Sequence, residues 1–245
     1  MVERYAVVSC HVERPLDDRV WRLFSRLQAR RPGGFRIAAL IRPPDEAAGE
    51  DPARWLERAQ EAAARAPLGH HTHWGGPAQA RPVEGDPAER VRREGGWLRD
   101  QGLRPTIFCG GGWYVDAGVA EAVAGLEYAD CTGTAFRPSY LPASARRLEA
   151  SGPCWLELRG GHRLLELPTT HSLGMLARVA GRPGGLRERL VHVYFHDTEL
   201  LDARRAAYLR LALAVLARRR VPSDLAEAAR TAAADELPVN RAFSR

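Results

Sequence analysis

The stretch "RYAVVSCHVERPLDDRVWRLFSRLQARRPGG", Arg4 to Gly34, decides how the chain is to be read. Its opening, Arg4 to Val12, is a compact run rich in β-formers. The remainder begins with the acids Asp17 and Asp18, repeats apolar residues at Val20, Trp21, Leu23, Phe24 and Leu27, and stops at Gly33-Gly34. A short apolar run followed by a segment of helical period is a strand followed by a helix.

The same unit recurs down the chain. "FRIAALIRPP" (Phe35 to Pro44) reads as a strand closed by prolines, and the following helix starts at Asp51 with Pro52 in its first turn. A second Asp-Pro start at Asp86 opens the helical stretch to Leu103. "RPTIFCGGGWY" (Arg104 to Tyr114) is then a strand ending in glycines, Asp116 to Asp130 a helix, and "CTGTAF" (Cys131 to Phe136) a short strand. Later come "RLLELPTT" (Arg163 to Thr170), "LVHVYFHDTELLD" (Leu190 to Asp202) and an apolar helix ending at Arg220. Alternating strands and helices predict an α/β fold, a parallel sheet or barrel with crossover helices.

The two loop-like stretches, Pro77 to Pro87 and Arg137 to Pro153, do not separate blocks of different composition. At 245 residues the chain is expected to form a single domain over 1–221, with a last short helix and frayed tail over 222–245. No apolar run is long enough to span a bilayer, and Glu3 and Arg4 interrupt any signal-peptide pattern, which predicts a cytoplasmic protein. The four cysteines, Cys10, Cys109, Cys131 and Cys154, form no C-x-x-C pair and read as small buried apolar residues. A net charge of +6 invites a nucleic-acid reading. Its arginines sit on helical segments interleaved with acids, however, and no nucleic-acid motif accompanies them, so no such partner is expected.

Three of the eight histidines fall in "GHHTHWGG", Gly69 to Gly76. In an extended segment residues i and i+2 share a side, so His71 and His73 can present two imidazoles together while His70 faces the other way, as a supporting or surface group. Such a pair suits a divalent metal, zinc above all. The alternative is a surface loop with incidental histidines. The third ligand is sought at the end of the first strand, where "SCHVERPLDD" offers His11, Glu13, Asp17 and Asp18 as ligands or as the catalytic base. Asp17 and Asp18 also suit a helix N-terminus, where acids complement the dipole. "VYFHD" places His196 at a strand end as a candidate general acid or base. "FCGGGWY" offers Gly111, Trp113 and Tyr114, and "LPTTHSLGM" offers His171, as candidate substrate-binding residues.

In order and spacing, over about residues 5 to 215, these segments resemble the polysaccharide deacetylase (NodB homology) superfamily. The resemblance implies a distorted (β/α) barrel of the glycoside hydrolase/deacetylase type, a divalent metal, and hydrolysis of N- or O-acetyl groups on a glycan or sugar precursor. Its acidic first motif corresponds to "CHVE", with His11 in the aspartate place. Its histidine motif corresponds to "HTHWG", with His71 kept, Gly75 at the second histidine place and His73 as the nearby substitute. Cys109 of "FCGGGWY" stands where arginine is usual, and His196 takes the general-acid place. If His11 replaces a carboxylate, Glu13, Asp17 or Asp18 must supply the missing charge. Two other readings compete: a non-catalytic glycan-binding or regulatory relative without the metal, and an amidohydrolase or PHP-type phosphoesterase built on the H-x-H pair.

Overall fold

The computed structural model describes residues 4–179, 186 and 188–244. In chain order the elements are β1 (Tyr5–Val12), α1 (Asp18–Arg30), β2 (Ala38–Ile41), α2 (Pro52–Ala63), β3 (Leu68–Thr72), α3 (Pro87–Asp100), β4 (Ile107–Gly110), α4 (Ala117–Gly125) and β5 (Ala129–Asp130). The second half adds β6 (Cys154–Glu157), β7 (Arg163–Glu166), β8 (His171–Ser172), α5 (Leu173–Val179), β9 (Leu190–His196), α6 (Ala203–Ala217), β10 (Val221–Pro222), α7 (Leu225–Ala233) and β11 (Val239–Asn240). Aspartates punctuate the chain: Asp17, Asp51, Asp86, Asp116, Asp202 and Asp224 each cap a helix by accepting backbone N–H bonds that the first turn leaves free.

Among the described residues all strands belong to one sheet, in the order β11-β6-β7-β5-β4-β3-β2-β1-β9-β8, with β10 added on β1. Every pairing is parallel except β6 with β7. The segment running from β7 into β8 carries the ladder onward: Leu167 N–H donates to Asp130 O and Thr169 N–H to Gly133 O, while Thr170 N–H donates to His192 O on β9. This segment therefore lies between the continuation of β5 and β9, and the sheet curls.

Strand parity sorts the side chains into two layers. Val8, Cys10 and Val12 of β1, Ala39 and Ile41 of β2, and Val193 and Phe195 of β9 pack outward against Trp21 and Phe24 of α1, Trp55 of α2 and Leu209 and Leu213 of α6. A second outer cluster joins Phe108 of β4 to Val91 of α3 and Val119 and Val123 of α4. The opposite parity builds the concave interior: Tyr5, Val7, Leu40, Ile107, Cys109, Ala129, Cys131, Leu167 and Tyr194. Gly69 belongs to this interior, where a Cβ would stand 2.3 Å from Leu40 Cδ2. A side chain there would force Leu40 to shift within the packed interior and would crowd Ile107 O at 3.2 Å.

Two expectations are corrected. The short helix expected after residue 221 is present as α7, but the segment is not a frayed tail: Leu225, Ala228 and Ala232 of α7 join the interior cluster, and Val239 pairs with Trp155 in the sheet. The strand expected over Cys131 to Phe136 lies earlier, at Ala129–Asp130. After it the chain turns: Thr132 N–H and hydroxyl both bond Asp130 Oδ1, and Gly133 N–H bonds Glu166 Oε1. Among the described residues no helix is long and apolar enough to cross a membrane.

Candidate metal centre

Inward parity brings polar residues together at the C-terminal ends of β1, β3, β4 and β9. His11 and Glu13 leave β1, His71 and His73 leave β3, Cys109 lies on β4 and His196 ends β9. β1 and β4 are not neighbours in the sheet, yet Cys109 Sγ lies 3.7 Å from His11 Nε2. The curl of the sheet makes that contact.

His71 and His73 are held alike. His71 Nδ1 is 2.8 Å from Cys109 O and His73 Nδ1 is 2.7 Å from Pro77 O. A carbonyl only accepts, so Nδ1 carries the proton in each ring and Nε2 keeps its lone pair. The rings stand 5.0 Å apart, both buried, and His73 Nε2 is a buried nitrogen without a hydrogen-bond partner. Glu13 Oε1 approaches that nitrogen to 3.6 Å. One ligand atom each from Glu13, His71 and His73 lies within 4.8 Å of the others, as does one each from His11, His71 and Cys109. Two imidazoles plus a carboxylate or a thiolate are donor sets that zinc and similar ions accept.

Electrostatics suits an ion. Burial, then the neighbouring His73, pushes His71 down to about 3, so its ring is neutral at physiological pH. Burial alone would raise Glu13, but the contact with His73 and the neighbouring His196 hold it at about 2. Its carboxylate is therefore ionised wherever the chain is folded near neutrality. Burial holds His11 well below the ordinary histidine value, and the other histidines around it push the same way.

His196 differs from the other rings of the cluster. Its Nε2 lies 3.5 Å from Glu13 Oε1, its Nδ1 3.5 Å from Glu199 Oε1, and Glu199 also accepts the His196 backbone N–H at 3.0 Å. Burial opposes protonation, but Glu199 and Glu13 outweigh it and raise the ring above its ordinary value. The adjoining Asp197 turns away and accepts from the backbone N–H groups of Arg14 and Thr198 at 2.9 and 2.8 Å.

Several sequence candidates lie elsewhere. Asp17 is the α1 N-cap, accepting from Arg19 and Val20 N–H. Asp18 is exposed and pairs with Arg54 and Arg58. Neither meets the cluster, because the chain turns outward after Glu13 to begin α1. His171 is buried on the outer side of β8–β9 with Nδ1 2.8 Å from Thr170 Oγ1; among the described residues no hydrogen bond, ion pair or ring contact joins it to the cluster. His70 is buried rather than on the surface, its Nε2 3.0 Å from Glu94.

The glycine-rich β4 end acts through shape. Gly111 lets the chain pass Thr72 O and the His73 ring, which a Cβ would meet at 2.5 and 3.0 Å. Trp113, at φ +59°, is buried and spends its ring on His11 at 5.4 Å and Tyr194 at 4.8 Å. Tyr114 bonds Asp116 at 2.6 Å and meets Trp74 edge-on, away from the histidines. The residues the sequence left out are Glu199, which orients His196, and Cys109 as a donor. A carboxylate three residues after a strand-end histidine was the signal for the first.

No protein-family model matches the chain, and no curated protein matches it in sequence. Among solved structures, the crystal structure of 4-alpha-glucanotransferase from Thermococcus litoralis superposes with a TM-score of 0.57 at 12% identity, over 93% of this chain and 40% of that one. The chain thus spans less than half the length of that neighbour. At this identity the likeness is one of fold: the chain shares a mostly parallel α/β architecture with part of that glucanotransferase.

Proposed function

We propose that the chain is a divergent metal-dependent hydrolase, resembling polysaccharide deacetylases, that removes an acetyl group from a glycan or sugar precursor. In this reading the curled sheet is a distorted (β/α) barrel, with the segment between β7 and β8 bridging β5 and β9. The observation that carries it is the pair of imidazoles, His71 and His73, each with Nδ1 bound to a carbonyl and each with a ligand atom within 4.8 Å of one from the Glu13 carboxylate.

Glu13, His71 and His73 would hold the ion, taken as zinc, which would polarise the acetyl carbonyl and lower the pKa of water so that the water's proton passes to solvent. His196 is the proton carrier. Glu199 fixes its ring and Glu13 favours its charged form, so near neutral pH it donates to the leaving amine or hydroxyl. A sugar substrate accords with the glucan named for the structural neighbour.

One observation favours a second reading, a glycan-binding relative without chemistry. Asp17 and Asp18 are engaged in α1, so they supply no second carboxylate as base. The two readings part on one experiment: zinc-loaded protein incubated with N-acetylated chitooligosaccharides, with released acetate measured. The hydrolase reading expects release that falls about a hundredfold or more in His196→Ala with bound zinc unchanged. Oligosaccharide binding without release, with zinc bound or not, supports the relative without chemistry.

A further inference from the structure

The cluster contains a second donor set that the proposed hydrolysis does not use. Cys109, His11 and His71 come from β4, β1 and β3, and all three are buried. One ligand atom from each lies within 4.8 Å of the others. His11 presents Nε2 to Cys109 Sγ at 3.7 Å, and its ring lies 4.6 Å from that of His71. The Glu13 set and the Cys109 set are separate groupings joined through His71. Because His71 Nδ1 is committed to Cys109 O, the ring has one free lone pair, on Nε2.

We propose that His11, His71 and Cys109 form an inner position for a thiophilic metal ion, which competes for His71 with the outer position formed by Glu13, His71 and His73. A thiolate with two imidazoles prefers soft and borderline ions such as Zn(II), Co(II), Cd(II) or Cu(I), whereas a carboxylate makes the outer set harder. One lone pair on His71 cannot serve two ions, so occupation is exclusive. Binding at the inner position displaces the Cys109 thiol proton to solvent. An ion there is withdrawn from Glu13 and so from its contact with His196, which makes the inner position an inhibitory one. The aromatic wall of Trp113 and Tyr194 against His11 keeps this side of the cluster apolar, which suits a thiolate-bound ion more than a hydrated one.

The inner position does not depend on the hydrolytic reading, and cobalt separates the two. Co(II) is added to reduced, metal-free protein, and the thiolate-to-cobalt charge-transfer absorption in the near ultraviolet is recorded with the weaker d–d bands. The wild type and Glu13→Gln are expected to show the charge-transfer band, and Cys109→Ser to lose it. Cys131→Ser, which alters the buried thiol next to Cys109 just past the end of β5, is expected to keep the band. That variant guards against loss through misfolding, as does the unfolding midpoint of each protein. Cobalt bound with d–d bands but no charge transfer in the wild type overturns the inner position and leaves the outer one standing. A band that survives Cys109→Ser also overturns it, and cobalt that does not bind at all overturns both positions.

Discussion

The two faces of β3 carry the same residue type to opposite ends. On the inner face His71 and His73 give their Nδ1 protons to backbone carbonyls and keep Nε2 free. On the outer face His70 has Nε2 engaged by Glu94 at 3.0 Å and by Thr72 Oγ1 at 2.9 Å, and Glu94 is tied in turn to Arg90. His70 also leaves one buried nitrogen, Nδ1, without a hydrogen-bond partner, but its Nε2 is spent on Glu94 and Thr72, which binds the ring into the contact between β3 and α3. A histidine's partners, rather than its presence, decide which role it takes.

The largest expected effect is on the inner face. His71→Ala removes the ring shared by both donor sets and should abolish measurable zinc binding, a larger loss than the ~10–100-fold typical of an outer-shell partner. His73→Ala leaves the His11, His71 and Cys109 set whole, so it should weaken zinc binding less than His71→Ala and keep the Co(II) charge-transfer band in place. Equilibrium dialysis with zinc, and the cobalt spectrum, check both.

On the outer face the effect should be on folding. His70→Ala removes one partner of the buried Glu94 carboxylate, which keeps Thr72 Oγ1 and Arg90; losing a hydrogen bond to a charged group costs about 1.5–3 kcal/mol, read as a lower urea midpoint. Zinc affinity per folded molecule should change far less than in His71→Ala. If His70→Ala removes zinc as completely as His71→Ala does, the distinction between the faces fails.

Asp17→Ala sharpens the same contrast for the acids. It removes the α1 cap and should cost ~1 kcal/mol of stability with zinc binding unchanged. A loss of zinc would return Asp17 to the site.

The smallest effect concerns pH. Asp130 and Glu166 sit opposite each other on β5 and β7, both fully buried. Burial raises both carboxyls, and the charge of Asp130 drives Glu166 higher still, well above the ordinary value. A raised folded-state pKa means stabilisation that is complete below the ordinary carboxylate range and is lost as pH rises through the raised value. Glu166→Gln should therefore flatten the decline of the urea midpoint toward alkaline pH.

Much of the site was legible because strand parity is local. His71 with His73, and His11 with Glu13, could be paired by counting residues, and His196 stood out as a polar end to an apolar strand. Cys109 was not legible as a donor, since a cysteine in "IFCGG" reads as an apolar filler, and its nearness to His11 depends on the curl that brings β4 over β1. Asp17 and Asp18 were ambiguous because helix capping and catalysis use the same residue type. Their contacts with Arg19, Val20, Arg54 and Arg58 resolve it. The α/β alternation was plain in the sequence, and so was the last short helix; that α7 packs into the interior and that β11 joins the sheet was not, because short elements carry little periodicity.

The most direct test of the metal centre is the zinc content of purified protein after exhaustive dialysis against buffered zinc, measured side by side for the wild type, His71→Ala and His70→Ala. The account predicts about one ion per folded chain in the wild type and in His70→Ala, and none above background in His71→Ala. A zinc-free wild type, or His71→Ala that retains the ion, would contradict it.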